Sequence, residues 1–276
     1  MKPFAKRLIT TSALFLSAGL AFGEATVRIE RNDSSQASAA FRFKNVPSPA
    51  RNDRGSQARL TIADGTRDPN GGEVMALIDG RVPRDEDQPS NNFFFNAGSD
   101  GGRLVFDLGG LIEVKQINTY SWHPDSRAPQ VYSIFGSDGS SAVFKLDPKK
   151  GTSPESCGWQ PIAKVDTRAD GGDLGGQFGV SISNNDGSIG KWRYLLFDIA
   201  QTRPGDRFSN TFFSEIDVKD GTEREEPAPE AQPPIIEKFH AEGGKYEITI
   251  ETTEAPDLTV WAREELWPVV QEWYPK

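Results

Sequence analysis

Between residues 72 and 219 the apolar side chains of this sequence recur at every second position in short runs, and no helical period separates them. Leu104, Phe106 and Leu108 alternate. So do residues in Val131-Tyr132-Ser133-Ile134-Phe135, in Phe178-Gly179-Val180-Ser181-Ile182, from Trp192 to Ile199 and from Phe212 to Val218. Alternation of this kind turns one face of a strand to a core and the other away from it. Ile112 and Val114 keep step and lose it before Ile117, as a β-bulge requires. Turn chemistry lies between the runs: Asp107-Leu108-Gly109-Gly110, Ser137-Asp138-Gly139-Ser140, Asp170-Gly171-Gly172-Asp173 and Asn184-Asn185-Asp186-Gly187. Upstream, residues 26–64 alternate weakly at Val27, Ile29, Phe41 and Phe43, which reads as one or two edge strands and a polar loop. Roughly eight strands make an all-β chain, a β-sandwich of jelly-roll type.

Composition agrees and removes several partners. The 276 residues include 27 Gly, 19 Pro and 36% hydrophobic residues, a turn-rich balance with enough apolar surface for a core. A net charge of −9 opposes nucleic-acid binding, which needs a basic footprint. Cys157 is the single cysteine, so no intramolecular disulfide forms, and its neighbours Gly158 and Trp159 suit an inert buried thiol.

The two ends differ from this middle. Lys2, Lys6 and Arg7 precede an apolar run over residues 8–22, and Ala21-Phe22-Gly23 supplies small residues for cleavage, which reads as a signal peptide over residues 1–23. The run falls short of the roughly 20 apolar residues of a membrane span, so no membrane span is expected and the mature protein is secreted or periplasmic. Residues 221–235 are rich in Glu and Pro and read as an extended linker. Beyond it, residues 245–251 alternate as a strand, and Asp257 caps a helical spacing of Leu258, Trp261, Leu266, Val269 and Val270. A unit of about 40 residues with one strand and one helix is too small to bury a core of its own, so residues 236–276 read as the start or remnant of a larger domain.

Within residues 72–220, six segments occur in an order that resembles the discoidin, or coagulation factor V/VIII type C, domains. They are Ala76-Leu77-Ile78-Asp79-Gly80, Leu104-Val105-Phe106-Asp107-Leu108-Gly109, Val114-Lys115-Gln116-Ile117-Asn118-Thr119-Tyr120, Val131 to Gly139, Trp159, and Ser214-Glu215-Ile216-Asp217-Val218. The resemblance implies a galactose-binding-like jelly roll, non-catalytic, that binds glycans, lipids or proteins through loops at one end. It further implies a structural Ca²⁺ held by Asp79 and Glu215 with backbone carbonyls, the oxygen donors that ion takes. On the residues alone, Asp79 also fits a turn cap and Glu215 a strand residue. The insertion Arg84-Asp85-Glu86-Asp87 departs from the usual spacing.

The loop from Tyr120 to Pro129 is the expected ligand site. Trp122, His123, Asp125 and Arg127 combine an aromatic plate, an imidazole, a carboxylate and a guanidinium, the mixture that holds sugar rings and hydroxyls. The alternatives are a core role for Trp122 and an Arg127–Asp125 pair as loop scaffolding. Phe94, within Asn91-Asn92-Phe93-Phe94-Phe95, and Arg207 and Asn210, within Arg207-Phe208-Ser209-Asn210, are expected to flank the site. Three consecutive Phe cannot all face one side of a strand.

The last 30 or so residues, with Tyr246-Glu247-Ile248-Thr249-Ile250, Ala255-Pro256-Asp257-Leu258, Trp261-Ala262 and Trp273-Tyr274-Pro275, resemble the opening of the basic secretory protein family, zinc peptidases of plants and bacteria. That family works with H-E-x-x-H. Here His123 precedes Pro124 and His240 precedes Ala241, so zinc is not expected in these residues. The expectation is an exported carbohydrate-binding module, with carbohydrate or glycoprotein as partner, that targets an attached peptidase-like domain. The alternatives are a piece of a zinc metallopeptidase whose active site lies beyond Lys276, and an adhesion module for protein or lipid.

Overall fold

A computed structural model describes residues 25–168, 174–222 and 224 in full, and the backbone of 235–242 and 245–251. The chain divides into two compact units, Met1–Arg224 and Glu225–Lys276. The first is a jelly-roll β-sandwich. Its four-stranded sheet runs β1 (Thr26–Asn32), β7 (Gly176–Ser183), β4 (Gln116–His123), β9 (Phe213–Lys219). Its five-stranded sheet runs β2 (Arg59–Asp64), β3 (Gly102–Val114), β8 (Gly190–Ile199), β5 (Val131–Ser137), β6 (Gln160–Asp166). Each pairing is antiparallel, and the two weakly patterned strands, β1 and β2, are sheet edges.

Between the sheets lie Leu104, Phe106 and Leu108 of β3, Ile117 of β4, Val180 and Ile182 of β7, and Ile216 and Val218 of β9, all fully buried. The outer faces are covered as well. Val105, Phe135 and Leu196 on the back of the five-stranded sheet pack with Cys157 and Trp159, and Phe144 joins them from the long 138–159 connection. The outer face of the four-stranded sheet carries the row Tyr120, Gly179, Glu215 and lies under residues 41–53, where Phe43 sits against Gly179.

Three local readings change. The phase loss after Val114 marks a change of sheet at Lys115, whose amide donates to Lys219 O (2.8 Å). The bulge lies earlier, between Asp107 and Ile112, so Asp107-Leu108-Gly109-Gly110 is a break inside β3 that Gly109 makes at φ 77°, and no turn. Phe41 and Phe43 belong to a loop. Strand β6 escapes a period-two reading because Pro161 interrupts it and Val165 is its single buried residue, as an edge strand allows.

In the second unit, β10 (Ile235–Glu242) and β11 (Lys245–Glu251) form an antiparallel hairpin. The strand at 245–251 is the one expected. Its partner was hidden because a register shift between Ile236 and Lys238 breaks the alternation, and it begins at the last residue assigned to the linker. The signal peptide, the Asp170-Gly171-Gly172-Asp173 turn, most of the linker and the helix after Asp257 lie outside the described residues. Among the described residues no helix is long and apolar enough to cross a membrane.

Candidate functional site

The expected site residues separate into three places. The first is the end of the sandwich where β4 leaves its sheet at His123. The 124–130 loop that follows is fixed from within: Ser121 Oγ donates to Ala128 O, Ala128 N to Asp125 O (2.9 Å), and Gln130 Nε2 to Ser121 Oγ (3.0 Å). Arg127 projects from it onto a stack of rings. Its guanidinium carbon is 4.7 Å from the Phe212 centroid, 5.0 Å from Phe94 and 5.5 Å from Phe208. Phe94 and Phe212 are themselves stacked at 4.1 Å, and His123 meets the Phe212 ring edge-on at 4.8 Å. Guanidinium on an aromatic face is attractive through the ring quadrupole, more so where water is excluded.

Arg127 Nε donates to Phe208 O (2.8 Å), which orients the fork and leaves its terminal amino groups without a hydrogen-bond partner among the described residues. Burial holds the guanidinium pKa below its usual value, against the pull of Asp68, Asp87 and Asp206. His123 is likewise pushed down by burial, with Asp87 opposing, which favours the neutral imidazole. Its Nδ1 accepts the Asp125 amide (3.0 Å), so the neutral ring carries its proton on Nε2. The Asp125 residue is exposed, and among the described residues no ion pair joins it to Arg127. The end thus presents guanidinium and imidazole donors, a carboxylate acceptor and one exposed ring, Phe208, 51% accessible.

Two expected contacts have other roles. Phe94 is 2% exposed, beneath Arg127, and supports the guanidinium instead of reaching a ligand. All three rings of Phe93-Phe94-Phe95 are buried: Phe93 and Phe95 in the intersheet core, Phe94 against Phe212. Asn210 is buried and its amide clamps a neighbouring loop, donating to Asn96 O (3.0 Å) and to Ser99 O and Oγ (3.2 Å each). Arg207 is exposed and shares the Phe208 ring at 4.9 Å, which brings it to the site's margin. Phe208 lies in the Arg207-Phe208-Ser209-Asn210 stretch expected to flank the site, and Phe212 was the residue missed. Phe212 was read only as a strand start, and the pairing of two aromatic pairs far apart in sequence has no local signature.

Trp122 lies elsewhere. One residue before His123 on β4, it falls on the opposite face of the strand and lines a cavity of about 180 Å³ on the outer side of the four-stranded sheet. It is 6% exposed, and its Nε1 is buried without a partner.

The third place is acidic. Glu215 of β9 is 0% exposed; its Oε2 accepts the Gly80 amide (2.8 Å), and its Oε1 has no partner. Gly80 reaches this position at φ 69°, and an added Cβ would stand 2.2 Å from Arg51 Cγ and 2.8 Å from its Cα, so any side chain there is strained. Burial raises the Glu215 pKa well above the carboxylate range, and Asp217, Asp79 and Asp53 add to it. Asp79 is raised by desolvation, against Arg81 and Arg51. Asp217 is pushed up to about 7 by burial and by Asp53, while the Ala50 amide and Tyr120 hydroxyl hold its carboxyl in place.

The oxygen-only donors and the unengaged Glu215 Oε1 fit a hard cation. Among the described residues no three His, Cys, Asp or Glu side chains gather closely enough to hold an ion by themselves, so main-chain carbonyls would complete the shell.

No family model and no curated protein matches this chain. Solved structures similar to it include the lectin domain of lectinolysin complexed with Lewis B antigen, at 12% identity over 63% of this chain and 99% of that one, TM-score 0.40. CBM32-1 from a family 31 glycoside hydrolase of Clostridium perfringens follows at 11% identity, 61% and 97% coverage, TM-score 0.39. Chitosan-binding module 2, in complex with chitotriose, from a chitosanase/glucanase of Paenibacillus sp. IK-5 matches at 14% identity, 60% and 99% coverage, TM-score 0.38.

Proposed function

We propose that the sandwich is an exported carbohydrate-binding module whose site is the Arg127 end. The carrying observation is the guanidinium held on the Phe94 and Phe212 rings with its terminal amino groups unengaged, beside neutral His123, the Asp125 carboxylate and exposed Phe208. Fixed planar donors take sugar hydroxyls, and an exposed ring takes the apolar face of a pyranose. Trp122, by contrast, serves its own cavity and lies outside this sugar site.

The signal-like residues 1–23 direct the chain to the secreted or periplasmic space. Asp79 and Glu215 hold a structural Ca²⁺ that ties the early turn to β9. The unit from Glu225 onward opens a peptidase-like domain, which the sandwich keeps near glycan or glycoprotein surfaces by raising local concentration.

The test is a glycan array with the purified full chain in calcium buffer, repeated with Arg127→Ala. Saturable binding that falls at least tenfold in the variant, roughly the loss of one charge-assisted hydrogen bond, is expected. Binding by neither protein, or equally by both, overturns the proposal. The exposed Phe208 between two cations favours adhesion to an anionic lipid surface as the second reading, and vesicle sedimentation separates the two.

A further inference from the structure

The cavity on the outer face of the four-stranded sheet lies apart from the Arg127 end and is built differently. Tyr120 and Trp122 of β4 meet Phe41 and Phe43 from the covering loop, with Val82 and Pro83 on another side. Phe41 and Phe43 are edge to face at 5.1 Å, and Phe43 approaches Tyr120 at 6.4 Å.

Its polar groups are almost all engaged within the protein. The Tyr120 hydroxyl bonds Pro47 O and Asp217. The Gln177 amide is satisfied by Asn32 and Ser38, Ser121 Oγ by Ala128 O, and Ser214 Oγ by Asn92 Oδ1. Apart from Ser48 at the exposed margin, two side chains retain capacity, and both are donors. The Trp122 Nε1–H is buried and unpartnered. Arg42 is exposed, with Nη1 on Ala39 O (2.8 Å) and Phe41 O (2.7 Å), and with Nη2 and Nε unengaged among the described residues.

This inventory selects the ligand. A pyranose would bring several hydroxyls that donate, and among the lining side chains the acceptors left to them are Ser48 at the exposed margin and hydroxyl oxygens already tied to the protein, as at Tyr120 and Ser214; each hydroxyl buried without a partner costs about 1–3 kcal/mol. An aromatic ring with one anionic acceptor brings none. A cavity of about 150 Å³ accepts a benzene ring, and this one has a volume of about 180 Å³. We propose that the cavity formed by Phe41, Phe43, Tyr120, Trp122, Val82 and Pro83 is a second binding site, for a small aromatic carboxylate of benzoate size. The ring lies among the aromatic side chains, and the carboxylate takes the Trp122 indole N–H and the Arg42 guanidinium. A charge-assisted acceptor relieves the buried indole donor that the cavity lining leaves unpaired.

Isothermal titration of the full chain with benzoate, cyclohexanecarboxylate and methyl β-glucoside tests this. Saturable benzoate binding is expected, with no binding of the glucoside. Trp122→Phe keeps a ring and removes the donor, and weakens benzoate about tenfold. Arg42→Ala, at an exposed position that leaves folding untouched, weakens it several-fold and keeps the test decisive if Trp122→Phe destabilises the sheet. Arg127→Ala leaves benzoate binding unchanged, so loss of the sugar site and loss of this one are read separately. Absence of saturable benzoate binding, displacement of benzoate by the glucoside, or affinity indifferent to both Trp122→Phe and Arg42→Ala overturns the proposal.

Discussion

At the scale of single residues, the outer face of the four-stranded sheet buries the Glu215 and Asp217 carboxyl groups, which no ion pair among the described residues neutralises. Asp217 has its folded pKa raised to about 7 and Glu215 well above the carboxylate range, in both cases chiefly by burial. The native state therefore holds protons that the unfolded chain has released above about pH 4. Their contribution to stability is complete below the unfolded pKa and is lost as pH rises through the folded one. Without divalent cations the melting temperature should fall between pH 5 and pH 8, and Asp217→Asn should flatten that fall. The calcium proposed at Asp79 and Glu215 would compete with the Glu215 proton, so its effect should run the other way and grow with pH. At a hundredfold excess over its dissociation constant it should add about 2.7 kcal/mol, raising the melting temperature by about 5–10 °C. Calorimetry at pH 8 with calcium and with chelator checks this, and an unchanged melting temperature removes the ion from the proposal. That the Asp79-Gly80 turn meets Glu215 agrees with the order of segments in the resemblance; the part of Asp53 and Asp217 had no local signal, because their burial comes from loop 41–53 folding back over β9.

At the scale of elements, period-two alternation located β3, β5, β7, β8 and β9, whose inward rows are mostly apolar. It failed at β6, where one buried residue leaves no row to read, and at Gly109, where an internal bulge and a turn share the same Asp-x-Gly chemistry. A glycine inside a strand can also mark contact instead of a turn. Gly136 of β5 sits against Trp192 of β8, and an added Cβ would stand 2.4 Å from the indole Cδ2. Because the obstacle is a packed ring and not a flexible end, Gly136→Ala should cost about 1–3 kcal/mol. Urea unfolding followed by Trp fluorescence measures it, and a loss below 0.5 kcal/mol, roughly the level of a harmless surface change, would show that the ring yields.

At the scale of the molecule, both sheets are covered on both faces, and the covers are irregular segments. Arg103, 3% exposed on β3, pins one of them: Nη2 pairs with Asp198 at 2.7 Å while Nη1 donates to Pro148 O (3.2 Å) and Lys149 O (2.9 Å). Removing it leaves Asp198 with Lys150 alone at 3.6 Å and frees two carbonyls. Arg103→Ala should therefore cost about 3 kcal/mol, the low end for a broken buried pair. Limited proteolysis within residues 138–159, faster in the variant, is the accompanying sign; unchanged cleavage would mean that the Trp159, Tyr194 and Phe144 packing holds the segment alone.

The sequence by itself determined that the chain is an all-β sandwich with edge strands upstream, because alternation, glycine-rich turns and the absence of a helical period are local properties. It also set the chemistry of the 120–129 loop, since residue types are written there directly. What only the tertiary structure decided is which of those residues work together. Trp122 and His123 are neighbours in sequence yet serve opposite faces of one strand, while Arg127 meets Phe94 and Phe212 across 33 and 85 positions. Strand pleat sends adjacent side chains apart, and sheet pairing brings distant ones together.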